Sequence, residues 1–267
     1  MVESGQEGAQ VWIAWSDWGR AEYTAATVLL PALETGPVSG WWFLRKKPYW
    51  RLRHDGGPDT RAHLDHALGH LKEHGLVTGW HHSIYEPETA AFGGMASMGL
   101  AHRLFHHESR HLLHRAAHPE ETDLGARELS VLGACVFLRA VGLDWYEQGD
   151  VWARVAALRS HPEPLPTVSE LTKQVHSLLR ADHRRLVETG PLHHHRAWVR
   201  ELTKAGAELA ELYRRGYLTR GLRAVCAHHL IFSFNRWGLP GRDQLILSTP
   251  ARKAVMTDTT AQPTDAT

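Results

Sequence analysis

WWFLRKKPYWRLRH, residues 41–54, is the stretch on which the reading of the fold turns. Side chains of a strand alternate between its two faces. Trp41, Phe43 and Arg45 therefore share one face, with Trp42 and Leu44 on the other. Pro48 lacks the N–H that a ladder needs and interrupts the strand. Beyond it Tyr49, Arg51 and Arg53 alternate against Trp50 and Leu52. The result is a strand with one aromatic face and a basic ribbon (Arg45, Lys46, Lys47, Arg51, Arg53) interleaved with Tyr49 and Trp50.

Upstream, VWIAWSDW (11–18) reads as a strand ending at Ser16-Asp17. That polar pair suits the start of a helix from Trp18 to about Leu33. Downstream, Thr60 to Gly75 is helical and Val77 to Tyr85 is a further strand. Glu86-Pro87-Glu88 and Phe92-Gly93-Gly94 then make a glycine-bent connection. The rest is helical: Met98 to about Ala117, Leu124 to Val141, Asp150 to Leu158, about 196–215 and 219–236, then a short C-terminal segment. His161 to Pro166 reads as a proline-rich linker, and Thr167-Val168-Ser169-Glu170 as a capping box. Strands crowd the first third and helices fill the remainder, so the expected class is α+β: one compact domain over 1–255, with a largely antiparallel sheet flanked by helices and a groove between them. Residues 256–267, small and polar, read as a disordered tail.

Composition narrows the function. A chain of 267 residues, 43% hydrophobic, can bury one substantial core. Its formal charge of +1 gives no field directed at nucleic acid or an anionic membrane. No apolar stretch reaches the roughly 20 residues needed to span a bilayer, and Met1 to Gln10 lacks the apolar core of a secretion signal. The expected location is the cytoplasm. Cys135 and Cys226 lie in apolar helical runs and read as buried free thiols. Eleven tryptophans, seven of them in the first third, suit a core and also a groove for an extended peptide.

His107-Glu108-Ser109-Arg110-His111 fits the spacing of a zinc-binding helix. Ser-Arg inside the motif and the lack of a third ligand downstream argue against it, and no metal is expected. Glu108 itself falls on an apolar helix face with Ala101, Leu104 and Leu112, so it must be paired or carry a raised pKa. Its partner would be Arg110 or an arginine of the sheet. His193-His194-His195 reads as a solvated loop.

VWIAWSDWGRAEYTAA (11–26), WWFLRKKPYWRLRH (41–54), IYEPETAAFGG (84–94), AHRLFHHESRHLL (101–113) and LIFSFNRWGL (230–239) occur in that order. Together they resemble the C-terminal elimination domain of lantibiotic dehydratases in its stand-alone, thiopeptide-forming version, over about residues 11–250. The resemblance implies one of two chemistries. Elimination enzymes remove glutamate from glutamylated Ser or Thr; pyridine synthases join two dehydroalanines by a formal aza-4+2 cycloaddition, losing water and the leader peptide. Elimination enzymes carry a histidine four residues before the asparagine of the last motif, and here that position is Ile231 ahead of Asn235-Arg236. The departure favours cyclisation. Glutamate elimination stands as the alternative, and a non-catalytic leader-binding protein as the second.

The resemblance further implies a cofactor-free enzyme acting on a ribosomally made precursor peptide with an acidic leader and a modified core. The residues expected to carry the chemistry are Ser233, Asn235, Arg236, His229, Glu108 and His106. Those expected to hold the peptide are Trp41, Arg45, Trp50, Arg51, Arg53, Trp80, Glu86, Phe92 and Phe234.

Overall fold

The computed structural model describes residues 8–119, 124–159 and 169–256. Contacts gather them into two units, one running to Thr89 and resuming from Met98 to Thr122, the other holding Ala90–Ser97 and the residues from Asp123 on.

The first unit is built on a four-stranded antiparallel sheet, so the α+β expectation holds. Its strands are β1 (Gly8–Trp15), β2 (Trp41–Lys46), β3 (Tyr49–His54) and β4 (Val77–Tyr85), in the order β2-β3-β1-β4. Residues 41–54 are two strands rather than one. The chain reverses at the cis Lys47–Pro48 bond, and β2 pairs with β3 from Trp41↔His54 to Lys46↔Tyr49. The register places Val11, Ile13, Phe43, Trp50 and Leu52 on one buried face. Helix α3 (Pro58–Glu73) turns Leu64, Leu68 and Leu71 inward at helical spacing. Its Asp65 accepts hydrogen bonds from Trp80 Nε1 at 2.6 Å and His82 Nε2 at 2.7 Å, on this same face. Between β1 and β2 run α1 (Ala21–Thr24), a π-helical turn (Ala25–Leu29) and α2 (Leu30–Thr35). The turn before α1 is closed by Asp17, whose Oδ1 accepts from Gly19 and Arg20.

Helix α4 (Met95–Ala117) closes the β2 edge of the sheet. Ser109 Oγ accepts the Phe43 amide at 3.2 Å, and His106 Nδ1 lies 3.3 Å from the Trp41 nitrogen and 3.0 Å from its carbonyl oxygen. Arg110, expected as a partner of Glu108, instead pairs with Glu34 at 2.6 Å. Ser109 is fully buried, so Ser109→Ala leaves a buried amide unpaired. A loss of about 1–2 kcal/mol is expected from urea unfolding, and none if the cap is dispensable.

The second unit is helical: α5 (Ala126–Ala140), α6 (Trp145–Ala157), α7 (Ser169–Arg180), α8 (His183–Glu188), α9 (Arg196–Arg214), α10 (Leu222–Arg236) and α11 (Gly241–Met256). Every residue of α5 from Leu129 to Leu138 is buried, which marks it as the central helix. A β-carbon on Gly206 of α9 would stand 2.8 Å from the Phe137 carbonyl, so α9 and α5 meet at backbone distance. Asp144 and Glu147 form the capping box of α6. Two expectations change here. The short C-terminal segment is a sixteen-residue helix that carries Pro250 in its interior and includes Met256. His195 is buried near Trp198 rather than solvated, at the end of a 3-10 turn. The linker 161–166, Thr167 of the expected capping box and residues 257–267 lie outside the described residues. Among the described residues no helix is long and apolar enough to cross a membrane.

Candidate functional site

The sheet face opposite the core carries a polar cluster assembled by strand register. Arg53 of β3 stands opposite Gln10 of β1 and Trp42 of β2, while Gly8 stands opposite Tyr85 at the end of β4. Gly8 is required there, since a β-carbon would lie 2.8 Å from Tyr85 Cδ1. The Arg53 guanidinium sits 3.9 Å from the centre of the Tyr85 ring and 3.7 Å from Glu88 Oε1. Its Nε reaches Gln10 Oε1 at 3.5 Å. The Tyr85 hydroxyl lies 3.0 Å from Glu88 Oε2 and 3.0 Å from His102 Nε2, and the His102 ring stacks on Trp42 at 4.5 Å.

Charge orders this network. Burial, with the positive Arg53 nearby, pushes His102 down to about 4, so its imidazole is neutral at pH 7. Burial also raises the Tyr85 hydroxyl, against the pull of Arg53, so it stays protonated. One hydroxyl hydrogen serves one acceptor, and the carboxylate is the stronger. Tyr85 therefore donates to Glu88 and accepts from the Nε2–H tautomer of His102. The Glu88 side chain is 34% exposed and Arg53 only 6%, so the carboxylate is the member open to a ligand. This chain of donors can position a carbonyl, or move a proton between Glu88 and His102 through Tyr85.

The residues nominated from sequence are placed differently. Arg53 is the one that joins this cluster, and it is buried rather than part of an exposed ribbon. Arg51 lies over the Trp12 ring at 4.1 Å. Arg45 is held by both oxygens of Glu22 at 2.8 Å. Trp41 and Trp50 are core residues, with Trp50 stacked on Phe43 at 4.7 Å, so neither offers a ring face to a ligand. Trp80 is half-buried, with its indole N–H on Asp65. Glu86 is exposed, and it is Glu88 that the cluster engages. Glu108 is buried on α4, and His106 is spent on the backbone of Trp41.

In the second unit, Phe92 and Phe234 are fully buried, Phe234 stacking on Trp152. His229 packs edge-on against Phe92 at 4.9 Å and against Phe137 at 5.0 Å. Neither of its ring nitrogens has a hydrogen-bond partner among the described residues, and burial, helped by Arg236, pushes it down to about 3. It is neutral and sealed. Ile231 is buried. Asn235 Oδ1 accepts from Gln244 Nε2 at 2.8 Å, and Gln244 accepts from Arg159 Nε at 2.8 Å, a string that fastens α10 to α11. Ser233 is half-buried and Arg236 fully buried at the helix end. An open cavity of about 830 Å³ lies among α5, α6, α9 and α10. None of the nominated residues lines it, and its Arg154 and Arg223 share Asp150.

Gln10, Trp42, Tyr85, Glu88 and His102 were not anticipated. The available signal was the second carboxylate of Glu86-Pro87-Glu88, immediately after a strand that ends in tyrosine. Among the described residues no group of three or more His, Cys, Asp or Glu side chains is placed to hold a metal ion.

The family model for the lantibiotic biosynthesis dehydratase C-terminus matches residues 21–255. Solved structures of similar fold include the following two. The tRNA-dependent lantibiotic dehydratase MibB from Microbispora sp. 107891 aligns with a TM-score of 0.69 at 19% identity, over 96% of this chain and 29% of MibB. The pyridine synthase TbtD, from thiomuracin biosynthesis, aligns with a TM-score of 0.63 at 12% identity, over 94% of this chain and 98% of TbtD. At these identities the likeness establishes the fold, and the chain spans less than a third of MibB. No curated protein matches the sequence.

Proposed function

This chain belongs to the lantibiotic biosynthesis dehydratase C-terminal family, and from that membership we propose that it closes a peptide ring rather than eliminating glutamate. The observation that carries the reading is the isoleucine that stands in place of the elimination motif's histidine. Ile231 occupies the position four before Asn235 and is buried. His229, the nearest alternative on the inner side of α10, is enclosed by Phe92 and Phe137 with a pKa of about 3. Elimination requires a base for the α-proton and an acid for the leaving carboxylate.

Cyclisation asks for less covalent help. The amide preceding one dehydroalanine is held as its imidic-acid tautomer, which makes a 2-azadiene with the alkene. The second dehydroalanine supplies the two-carbon partner, and two carbon–carbon bonds form. Loss of water removes the imidic oxygen. Loss of the leader as its carboxamide removes the second nitrogen substituent and leaves an aromatic pyridine. Bringing the two ends of a floppy peptide together is an entropic task worth several kcal/mol or more. In this reading Glu88 and Tyr85 handle the tautomeric proton, with Arg53 balancing the charge, and the acidic leader and azole-bearing core make up the substrate.

Mass spectrometry of a dehydrated, azole-bearing precursor incubated with the protein tests it. A released leader carboxamide and a macrocycle are expected. Loss of glutamate from a glutamylated precursor would instead make the chain an elimination enzyme, and an unchanged peptide would leave it a binding protein.

A further inference from the structure

The two edges of the sheet are treated differently. On β2 the outward amides are those of Trp41, Phe43 and Arg45, and His106 and Ser109 of α4 cover the first two. Outward and inward backbone groups alternate along an antiparallel strand, and directly opposed residues share the same state. Carried across the register, this makes Trp42↔Arg53, Leu52↔Val11 and Trp12↔His81 the hydrogen-bonded pairs. The backbone groups that face away from the sheet on β4 are then those of Trp80, His82 and Ile84. Apart from the Ile84 carbonyl, which accepts from Gln10 Nε2 at 2.8 Å, these groups have no backbone or side-chain partner among the described residues.

Sheets ordinarily blunt an open edge with proline, lysine or a bulge. Thr78 to Ile84 contains neither proline nor lysine, and the one register shift falls at Ala14/Trp15 near the far end of β1. His81 and Ser83 are exposed, and Ile84 is 59% exposed. The edge is also held in place, because Asp65 ties down both Trp80 and His82. A rigid row of donors and acceptors fits one kind of partner, an extended polypeptide with its amides intact.

We propose that the β4 edge receives the leader segment of the precursor peptide as a fifth strand. This rests on the reading that the substrate is such a peptide. Azole formation consumes backbone N–H and C=O groups, so the modified core makes a poor ladder and the unmodified leader a good one. Val77 to Tyr85 carries no carboxylate and two histidines, which suits an acidic leader.

The test uses the full chain and the leader peptide alone, which contains nothing that can cyclise or eliminate. Amide hydrogen exchange at Trp80 and His82 is expected to slow by about tenfold or more on saturation with leader. Edge strands tolerate proline where the N–H faces solvent, so His82→Pro should fold. It is expected to bind leader about tenfold more weakly than His82→Ala, which loses the same side chain and keeps the amide. If the proline variant does not fold, exchange on the unaltered chain still decides. Leader binding without protection at Trp80 and His82, or no leader binding, overturns the proposal. Protection that instead rises with protein concentration in the absence of peptide also overturns it, assigning the edge to a second copy. A chain that passes this test and closes no ring would overturn the cyclisation reading alone.

Discussion

Lowering the pH from 7 to about 4.5 is expected to remove about 2–3 kcal/mol of stability through His229 alone. In the unfolded chain this imidazole takes up its proton near pH 6.5. In the folded protein it does so near 3, because burial between Phe92 and Phe137 disfavours the charged form, which also faces the charge of Arg236. The unfolded state therefore binds the extra proton throughout that window, and stability falls as pH drops below about 6.5. His102 acts with the same sign, and its contribution is smaller because it is half-buried and screened. Asp65 and Glu34, held below the usual carboxylate range by their histidine and arginine partners despite burial, begin to lose their contribution at lower pH still. Urea unfolding at pH 7, 5.5 and 4.5 measures the slope. His229→Leu should flatten it and cost little at pH 7, since the imidazole gives up no hydrogen bond. An unchanged slope in that variant would show that His229 is not sealed in the folded state.

Ile231→His is expected to destabilise the protein by about 2–3 kcal/mol and to create no glutamate elimination. Ile231 is 4% exposed on a helix whose neighbours Leu230 and Phe234 are also buried, so an imidazole there enters an apolar layer. The informative assay pairs urea unfolding with mass spectrometry on a glutamylated peptide. A tenfold or larger gain in elimination would mean that the substitution restores a working acid–base group. The chain would then be an eliminase that has lost one residue, and the cyclisation reading would fall.

The faces of residues 41–54 were legible because period-2 alternation survives in the structure. The side chains on the core face fall on odd positions at Trp41 and Phe43 and on even ones at Trp50 and Leu52. That switch of parity across Lys47-Pro48 was the mark of a hairpin, present in the sequence and read as a mere interruption. Strand β4 was legible to the residue, because Gly75 and Pro87 bracket it. Helix α11 was hidden by Pro250, a residue that ordinarily ends a helix. The polar cluster was hidden for a different reason. Arg53, Tyr85, Glu88 and His102 come from two strands, a loop and a helix, and only the register brings them to one face. The enclosure of His229 depends on Phe92 and Phe137, both remote in sequence, so nothing along the chain marked its imidazole as sealed.

Ser109 and His106 have a bearing on assembly as well as on stability. A sheet with two open edges can grow in both directions, each added strand offering a fresh edge, and so can seed a fibre. With α4 lying over Trp41 and Phe43, this sheet is left to extend mainly through β4. Two copies meeting edge to edge through β4 would give a closed pair and then stop, as a twofold contact does.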